Sequence, residues 1–128
     1  VYTNQIIKAQ RVEARTALMR AAQLLERSFT QNAGYPANTQ GFNALFGLGA
    51  GATVYSNVDR PTDPTFSKFS LTYVAGEAPG TGLAPLTYTL TATAKTNAIA
   101  DSACGNFILN ERGQRTTSVT DSQRVCWR

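Results

Sequence analysis

The stretch "NQIIKAQRVEARTALMRAAQLLERSFTQ", residues 4–31, decides the fold because it predicts one long amphipathic helix. Good helix formers (Ala, Leu, Arg, Gln and Glu) dominate it, and neither Gly nor Pro interrupts it. The segment that follows, "NAGYP" at 32–36, predicts the helix end, with Gly34 as a left-handed C-cap and Pro36 just beyond it. One side of the helix is apolar and must be buried, most simply against a sheet. Its apolar positions are Ile7, Ala14, Leu18, Ala21, Leu25 and Phe29.

Alternating segments in the second half of the chain predict the sheet. Strands are expected at 66–74, 86–94 and 106–110, with a short fourth strand at 114–118. The apolar faces are Phe69, Leu71 and Tyr73; then Leu86, Tyr88, Leu90, Ala92 and Ala94; then Phe107 and Leu109. The connection at 33–65 has no sustained period and carries at most a helical turn near 41–46. We therefore expect a single α+β domain over residues 1–128, with one helix covering an antiparallel meander at about 66–118.

The cysteine and histidine counts exclude most site chemistry. With no histidine in the chain, the Ser-His-Asp and Cys-His sites and the usual general base near neutral pH are excluded. Cys104 and Cys126 lie 22 residues apart, so they form neither a Cys-x-x-Cys redox motif nor, alone, a zinc site. Two readings stay open, a structural disulfide or two unpaired thiols. A disulfide would stabilise the fold by roughly 3 kcal/mol and would indicate an oxidising compartment.

The net charge of +4 is unevenly spread along the chain. Residues 1–30 carry +3, residues 31–100 balance at zero and residues 101–128 carry +1. This surplus permits attraction to nucleic acid or to anionic surfaces without proving either. Asp59 and Asp63 could be imagined as a catalytic or metal-binding pair, but "DRPTDP" is better explained as a turn. No apolar run is long enough to span a membrane, and the start at Val1 suggests a piece of something longer.

Three local motifs resemble those of type IV pilins, and specifically minor pilins of the PilE kind. The helix "QRVEARTALMRAAQLLERSFTQNAGYP" (10–36), the strand "YTLTATAK" (88–95), and "DSACGNFILNERGQR" (101–115) with the terminal "CWR" occur in the family's order. The resemblance implies the type IV pilin fold: one long N-terminal α-helix packed on a four-stranded antiparallel β-sheet with a C-terminal disulfide loop. It also implies a disulfide between Cys104 and Cys126, with Trp127 closing the chain.

The functional implication of the resemblance is structural. A minor pilin supports the assembly or initiation of a type IV pilus and pilus functions such as adhesion, twitching motility or DNA uptake. It is no enzyme, and no cofactor, metal or small-molecule substrate is expected. Other pilin subunits would be its partners, contacted through Ile6 and Ile7 at the start of the helix. A hydrophobic segment with a methylated first residue, absent here, would anchor it in the inner membrane before it joins the surface pilus.

Two alternatives belong to the same architecture. One is a DNA receptor in natural transformation, as the ComP kind of minor pilin is, and the other is a type II secretion pseudopilin. For DNA, the candidate contacts are Arg112, Arg115, Arg124 and Arg128 near Trp127, extended by Lys68 and Lys95. The competing interpretation is an ordinary solvated surface, because Asp101, Glu111 and Asp121 lie among these arginines, and Trp127 is expected to pack over the disulfide. The acidic cluster that a pseudopilin calcium loop needs is missing from this C-terminus.

Overall fold

The computed structural model describes residues 2–49, 53–56, 67–77, 80, 83–96, 98, 104–119 and 126–127, with side chains from Gln5 onward. Its helices are α1 (Tyr2–Asn32) and α2 (Thr39–Ala44). Its strands are β1 (Val54–Tyr55), β2 (Phe69–Ala75), β3 (Tyr88–Ala94), β4 (Phe107–Asn110) and β5 (Arg115–Thr117). The predicted long helix and the predicted turn near 41–46 therefore correspond to α1 and α2.

Helix α1 covers one face of the sheet, where it packs against β3 and β4. The predicted core positions Leu18, Ala21 and Leu25 are fully buried, which confirms the direction assigned to the apolar stripe. Small residues at Ala14 and Ala17 are buried as well, so the helix can lie close to the strands. Among the described residues, no helix is both long and apolar enough to cross a membrane.

The end of α1 differs from the prediction at one residue. Ala33, not Gly34, adopts the left-handed conformation, with φ of 58°, and its N–H donates to the Phe29 carbonyl. Gly34 is required for a different reason: a Cβ added there would lie 2.2 Å from the Cβ of Ala84. Beside it, the N–H of Tyr35 donates to the Pro85 carbonyl over 2.9 Å. The glycine thus permits a close approach between the helix end and the segment that precedes β3.

The sheet is an antiparallel meander in the order β1-β2-β3-β4-β5. It has five strands where the sequence predicts four, and the additional strand is β1, which lies within the long connection at 33–65. Val54 of β1 pairs with Leu71 of β2 at one edge of the described sheet. At the other edge β5 pairs with β4, so that Leu109 lies opposite Arg115.

The inner face of the sheet is as predicted, apart from the ends of β3. All the predicted apolar positions of β2 and β4 are buried, and so are Tyr88, Leu90 and Ala92 of β3. Leu86 is 46% exposed and lies outside β3, which begins at Tyr88. Ala94 at the other end is also exposed. The prediction that these two residues lie on the buried face is therefore wrong, because Leu86 precedes the strand and Ala94 is its last residue.

Aromatic rings attach the segment after α1 to the inner face. Phe42 of α2 stacks on Tyr73 with ring centroids 4.9 Å apart, and Tyr35 meets Tyr88 edge-on at 4.7 Å. The Tyr73 hydroxyl donates to the carbonyl of Pro36 over 2.6 Å. These contacts bury the start of a connection that has no helical or strand period of its own.

Candidate nucleic-acid interface

A disulfide between Cys104 and Cys126 ties the end of the chain to the strand region. Both sulfurs belong to fully buried residues, and the two Cα atoms are 5.8 Å apart. This confirms the predicted disulfide and makes the alternative of two unpaired thiols wrong. Because Cys104 lies just ahead of β4, the bond brings residue 127 beside the edge of the sheet.

Trp127 is a buried residue, 8% exposed, as the sequence predicts. Its ring meets Phe107 edge-on at 5.7 Å, and its indole N–H donates to the Thr116 carbonyl over 2.8 Å. Thr116 belongs to β5, the edge strand of the described sheet, and lies opposite Ile108 of β4. The indole hydrogen bond therefore attaches Trp127 to this edge strand.

Arg115 and Arg112 occupy neighbouring but different surroundings. The exposed Arg115 of β5 holds its guanidinium carbon 5.8 Å from the centre of the Trp127 ring, within the range of a cation–π contact. Arg112 lies in the turn between β4 and β5, where its backbone N–H donates to the Asn110 side chain. The turn itself uses Gly113 in a left-handed conformation, with φ of 76°.

A groove of about 720 Å³ separates the outer side of α1 from Arg115 and Trp127. Among the described residues that line it, three are arginines and none is acidic. Two apolar side chains in it are substantially exposed, Val12 at 50% and Met19 at 38%. The helix contributes Val12, Arg15, Thr16, Met19, Arg20 and Gln23.

A smaller cavity of about 290 Å³ adjoins this groove and shares Met19 and Arg115 with it. Arg112 lines the smaller cavity together with Glu26 and Glu111. Arg112 and Arg115 therefore both share this cavity with two carboxylates, whereas Arg15 and Arg20 line only the larger groove, which has no acidic residue among its described lining.

Tyr88 also lines the smaller cavity, and its surroundings change the pKa of its phenol. Burial, together with the nearby charges of Glu26 and Glu111, raises the pKa of Tyr88 to about 12. The pKa of Tyr35 is likewise raised, by burial and by the hydrogen bond that its hydroxyl donates to Glu26 over 2.9 Å. Neither phenol supplies charge to the groove near neutral pH.

Lys68 and Lys95 lie at the other end of the sheet from Arg112. The Lys95 N–H donates to the Lys68 carbonyl, and its ammonium donates to Ser67 over 3.2 Å and lies 5.2 Å from the Tyr55 ring. Asn110, at the start of the turn that holds Arg112, pairs with Thr89 of β3. Lys95 comes six residues after Thr89, just beyond the end of β3, so it lies roughly 20 Å from Asn110 along the strand direction. The two lysines therefore do not extend an Arg112–Arg115 surface.

Several sequence-predicted residues lie outside the described part of the chain: Arg124, Arg128, Asp59, Asp63, Asp101 and Asp121. Within the described part, no group of three His, Cys, Asp or Glu residues could hold a metal ion.

Sequence reasoning missed the wall of the groove that α1 provides. Arg15 and Met19 are four residues apart, as are Thr16 and Arg20, so each pair lies on adjacent turns of the outer side. That spacing could have identified a mixed basic and apolar helix face. It could not have shown that this face lies opposite Arg115, a hundred residues later in the chain.

The long helix on an antiparallel meander and the C-terminal disulfide define a type IV pilin. The solved structure of a type IV pilin from Shewanella oneidensis superposes with a TM-score of 0.52 at 20% identity, over 88% of this chain and 92% of that one. This likeness shows the fold. The comparison with curated proteins finds no significant match.

The chain belongs to the family of the type IV minor pilin ComP, described as a DNA uptake sequence receptor, whose model matches residues 1–108. The match includes the α1 wall of the groove and ends within β4, before Arg115 and Trp127. The chain is therefore a structural minor pilin of a type IV pilus, a surface filament built with other pilins.

Proposed function

We propose that this minor pilin joins the pilus through the first two turns of α1, where Ile6 and Ile7 contact other subunits. The supporting observation is the exposure of this part of the helix. None of residues 5–9 is buried, and the first buried residue is Gln10. Ile6 and Ile7 are half-buried, so part of each apolar side chain remains available for a neighbouring subunit.

The role proposed is structural and not catalytic. Before assembly the subunit would reside in the inner membrane, the location expected of a pilin precursor. The test is to produce a tagged chain in a strain that lacks its own copy, shear off the pili and blot the pilus and membrane fractions. The tag is expected in the pilus fraction. Its confinement to membranes in cells that still make pili would contradict the proposal.

A second function, DNA binding in the groove, is favoured by one specific observation. The groove presents Arg15, Arg20 and Arg115 with no acidic residue among its described lining. Guanidinium groups neutralise phosphates and donate paired hydrogen bonds to them, and each such contact releases counterions. The family to which the chain belongs is described as a DNA uptake sequence receptor, which agrees with this chemistry. We therefore propose that the groove binds the phosphate backbone of DNA.

A mobility-shift titration of duplex DNA at several salt concentrations tests the groove. The double variant Arg15→Ala/Arg20→Ala should weaken binding and lower the slope of log K against log salt by about two. The matched control is Lys8→Ala/Arg27→Ala, which removes two exposed cations of the same helix that do not line the groove.

Three outcomes would overturn DNA binding in this groove. Binding that does not depend on salt excludes a phosphate contact altogether. A stronger effect of Lys68→Ala/Lys95→Ala than of the groove variant would place the DNA at the other end of the sheet. Unchanged DNA binding by the groove variant, with reduced incorporation into pili, would assign the groove to an acidic surface of another subunit.

A further inference from the structure

We propose that Trp127 is a positioning residue for Arg115, and that the Cys104–Cys126 disulfide holds Trp127 in place, so that affinity for DNA depends on the oxidised disulfide. This inference rests on the proposed DNA-binding function of the groove. It makes the complete groove depend on the oxidised disulfide. It also assigns a role to residues after 108, which the family model does not match.

The first step is the dependence of Arg115 on the tryptophan ring. Arg115 belongs to a strand of three residues at the edge of the described sheet, and its side chain is exposed. An exposed arginine samples many rotamers, and ordering it for a phosphate has an entropic cost. The Trp127 ring, 5.8 Å from the guanidinium carbon, favours the rotamers that point into the groove.

The second step is the dependence of Trp127 on the disulfide. Trp127 follows Cys126 directly. Its ring is buried and meets Phe107 at 5.7 Å, and its indole N–H donates to the Thr116 carbonyl. The bond to Cys104 closes a segment of 22 residues. Without that bond, these contacts alone would have to offset the entropy of closing the segment. Reduction is therefore expected to release the ring from the sheet edge.

The third step is that the rest of the fold is organised without this bond. Strands β4 and β5 are joined by a tight turn, in which the Asn110 side chain accepts hydrogen bonds from the N–H groups of Arg112 and Gln114. Helix α1 packs on β3 and β4, and most of the buried core consists of apolar residues of the helices and strands other than the two cysteines. The α1 wall of the groove, with Arg15 and Arg20, should accordingly persist after reduction.

The redox step is an exchange with a dithiol. Two electrons and two protons pass from the dithiol to the Cys104–Cys126 bond, which becomes two thiols, while the dithiol closes into its own cyclic disulfide. Reducing compartments favour the thiol pair and oxidising ones the bond. The groove would thus be complete only in chains that have reached an oxidising compartment.

Trp127 is the only tryptophan of the chain, so its fluorescence reports its own shielding. We would compare acrylamide quenching of the oxidised chain and of the chain treated with dithiothreitol, with far-ultraviolet circular dichroism to follow the helix. Quenching should rise on reduction while the helix signal stays. A reduced, folded chain whose tryptophan is still shielded would overturn the inference.

The binding arm measures a labelled oligonucleotide by fluorescence anisotropy at low salt. Arg115→Ala should weaken binding by the oxidised chain by roughly three- to tenfold, and reduction should do the same. In the reduced chain Arg115→Ala should have no further effect, whereas Arg15→Ala should weaken both forms equally. Equal affinities of the oxidised and reduced wild-type chains would overturn the inference.

Variants with an intact disulfide cover the case in which reduction unfolds the chain. Trp127→Ala removes the ring and should abolish the effect of Arg115→Ala, whereas Trp127→Phe keeps a ring without the bond to Thr116 and should retain most of that effect. Wild-type affinity of Trp127→Ala would overturn the positioning role. Absence of binding by the oxidised wild-type chain would overturn the DNA function itself, and the quenching arm would still decide whether the disulfide holds Trp127.

Discussion

Glu13 shows how a single residue connects the helix to the sheet. Its Oε2 atom accepts hydrogen bonds from the Lys68 N–H, over 2.7 Å, and from the Ser56 hydroxyl. The Ser56 oxygen in turn accepts the N–H of Phe69 over 3.0 Å. One carboxylate thereby links α1 to the residues that flank β1 and β2. A carboxylate that accepts a backbone N–H and a hydroxyl is a charge-assisted acceptor, stronger than a neutral one.

Glu13→Ala is expected to lower the free energy of unfolding by about 2–3 kcal/mol, because it leaves the Lys68 N–H and the Ser56 hydroxyl without this acceptor. Urea denaturation followed by circular dichroism measures the loss. Glu13→Gln keeps an acceptor oxygen and should cost less. Glu77→Ala, at an exposed carboxylate, should change stability by no more than about 0.5 kcal/mol. A loss for Glu13→Ala no larger than for Glu77→Ala would contradict the linking role.

The buried tyrosines predict a loss of stability in alkali. Burial raises the pKa values of Tyr35, Tyr73 and Tyr88, that of Tyr88 to about 12, from an ordinary value of 10.0. The folded chain therefore holds these protons more tightly than the unfolded chain. Their contribution to stability is complete below about pH 10 and is lost as the pH rises from there through the folded-state pKa values.

Urea midpoints measured between pH 9 and pH 12 check this dependence, together with the absorbance of tyrosinate (roughly one unit of pH marks a tenfold change in protonation). Tyr88→Phe should reduce the slope of stability against pH, since it removes one of the linked protons. If all tyrosines of the chain formed tyrosinate at their ordinary pKa while the chain remained folded, this pH dependence would be contradicted.

In the β3 region, the residues that alternation predicts to be buried are not all buried in the structure. Alternation places Leu86 and Leu90 on one apolar face, yet Leu90 is fully buried and Leu86 is 46% exposed. Leu90→Ala is expected to lower the free energy of unfolding by about 2–5 kcal/mol through lost burial and a cavity. Leu86→Ala, the same chemical change four residues earlier, should cost under about 1 kcal/mol. Equal losses in urea denaturation would support the longer strand that alternation predicts.

Much of the fold could be predicted because its elements have strong periods. The 3.6-residue period of α1 and the alternation in β2, β3 and β4 each extend over enough residues to be distinguished from chance. Strand β1 could not be predicted, because two residues, Val54 and Tyr55, cannot display an alternation. The left-handed conformation of Ala33 was missed for another reason. Glycine is the usual residue in this conformation at a helix end, so the sequence favours Gly34, but Gly34 is needed for the close contact with Ala84.

The groove shows the corresponding limit for a site. Its walls come from the outer side of α1 and from β5 with the C-terminal Trp127, which only the folded sheet and the disulfide bring together. Arg115 could be predicted as a surface cation, but its alignment with Arg15 and Arg20 depends on the order of strands across the sheet. By the same register, Lys68 and Lys95 are separated from that surface.

Over the whole molecule, α1 divides its length and its sides among different tasks. Its inner side from Ala14 to Leu25 builds the core, its outer side supplies one wall of the groove, and its first turns extend past the buried residues. Most of the net positive charge also lies on this helix, since residues 1–30 carry +3 of the total of +4. Assembly and anion binding would then use separate parts of one rigid element.

This division predicts that Ile6→Ser/Ile7→Ser impairs incorporation into pili with little effect on the globular fold. Both residues are half-buried and precede the first buried position, Gln10, so the loss of unfolding free energy should stay below about 1 kcal/mol. Each substitution removes apolar surface that would contact a neighbouring subunit, and roughly 1 kcal/mol of lost contact lowers an association constant about fivefold. The amount of the variant in sheared pili, measured by blotting, should therefore fall several-fold while its total level in the cells is unchanged.

Val12→Ser is the matched control, because it makes a similar change at an exposed apolar residue of the same helix that lines the groove. It should enter pili at the wild-type level if the first turns alone contact other subunits. A comparable loss of incorporation for Val12→Ser would mean that subunits also occupy the groove. Wild-type incorporation of the isoleucine variant would show instead that assembly does not use the beginning of α1.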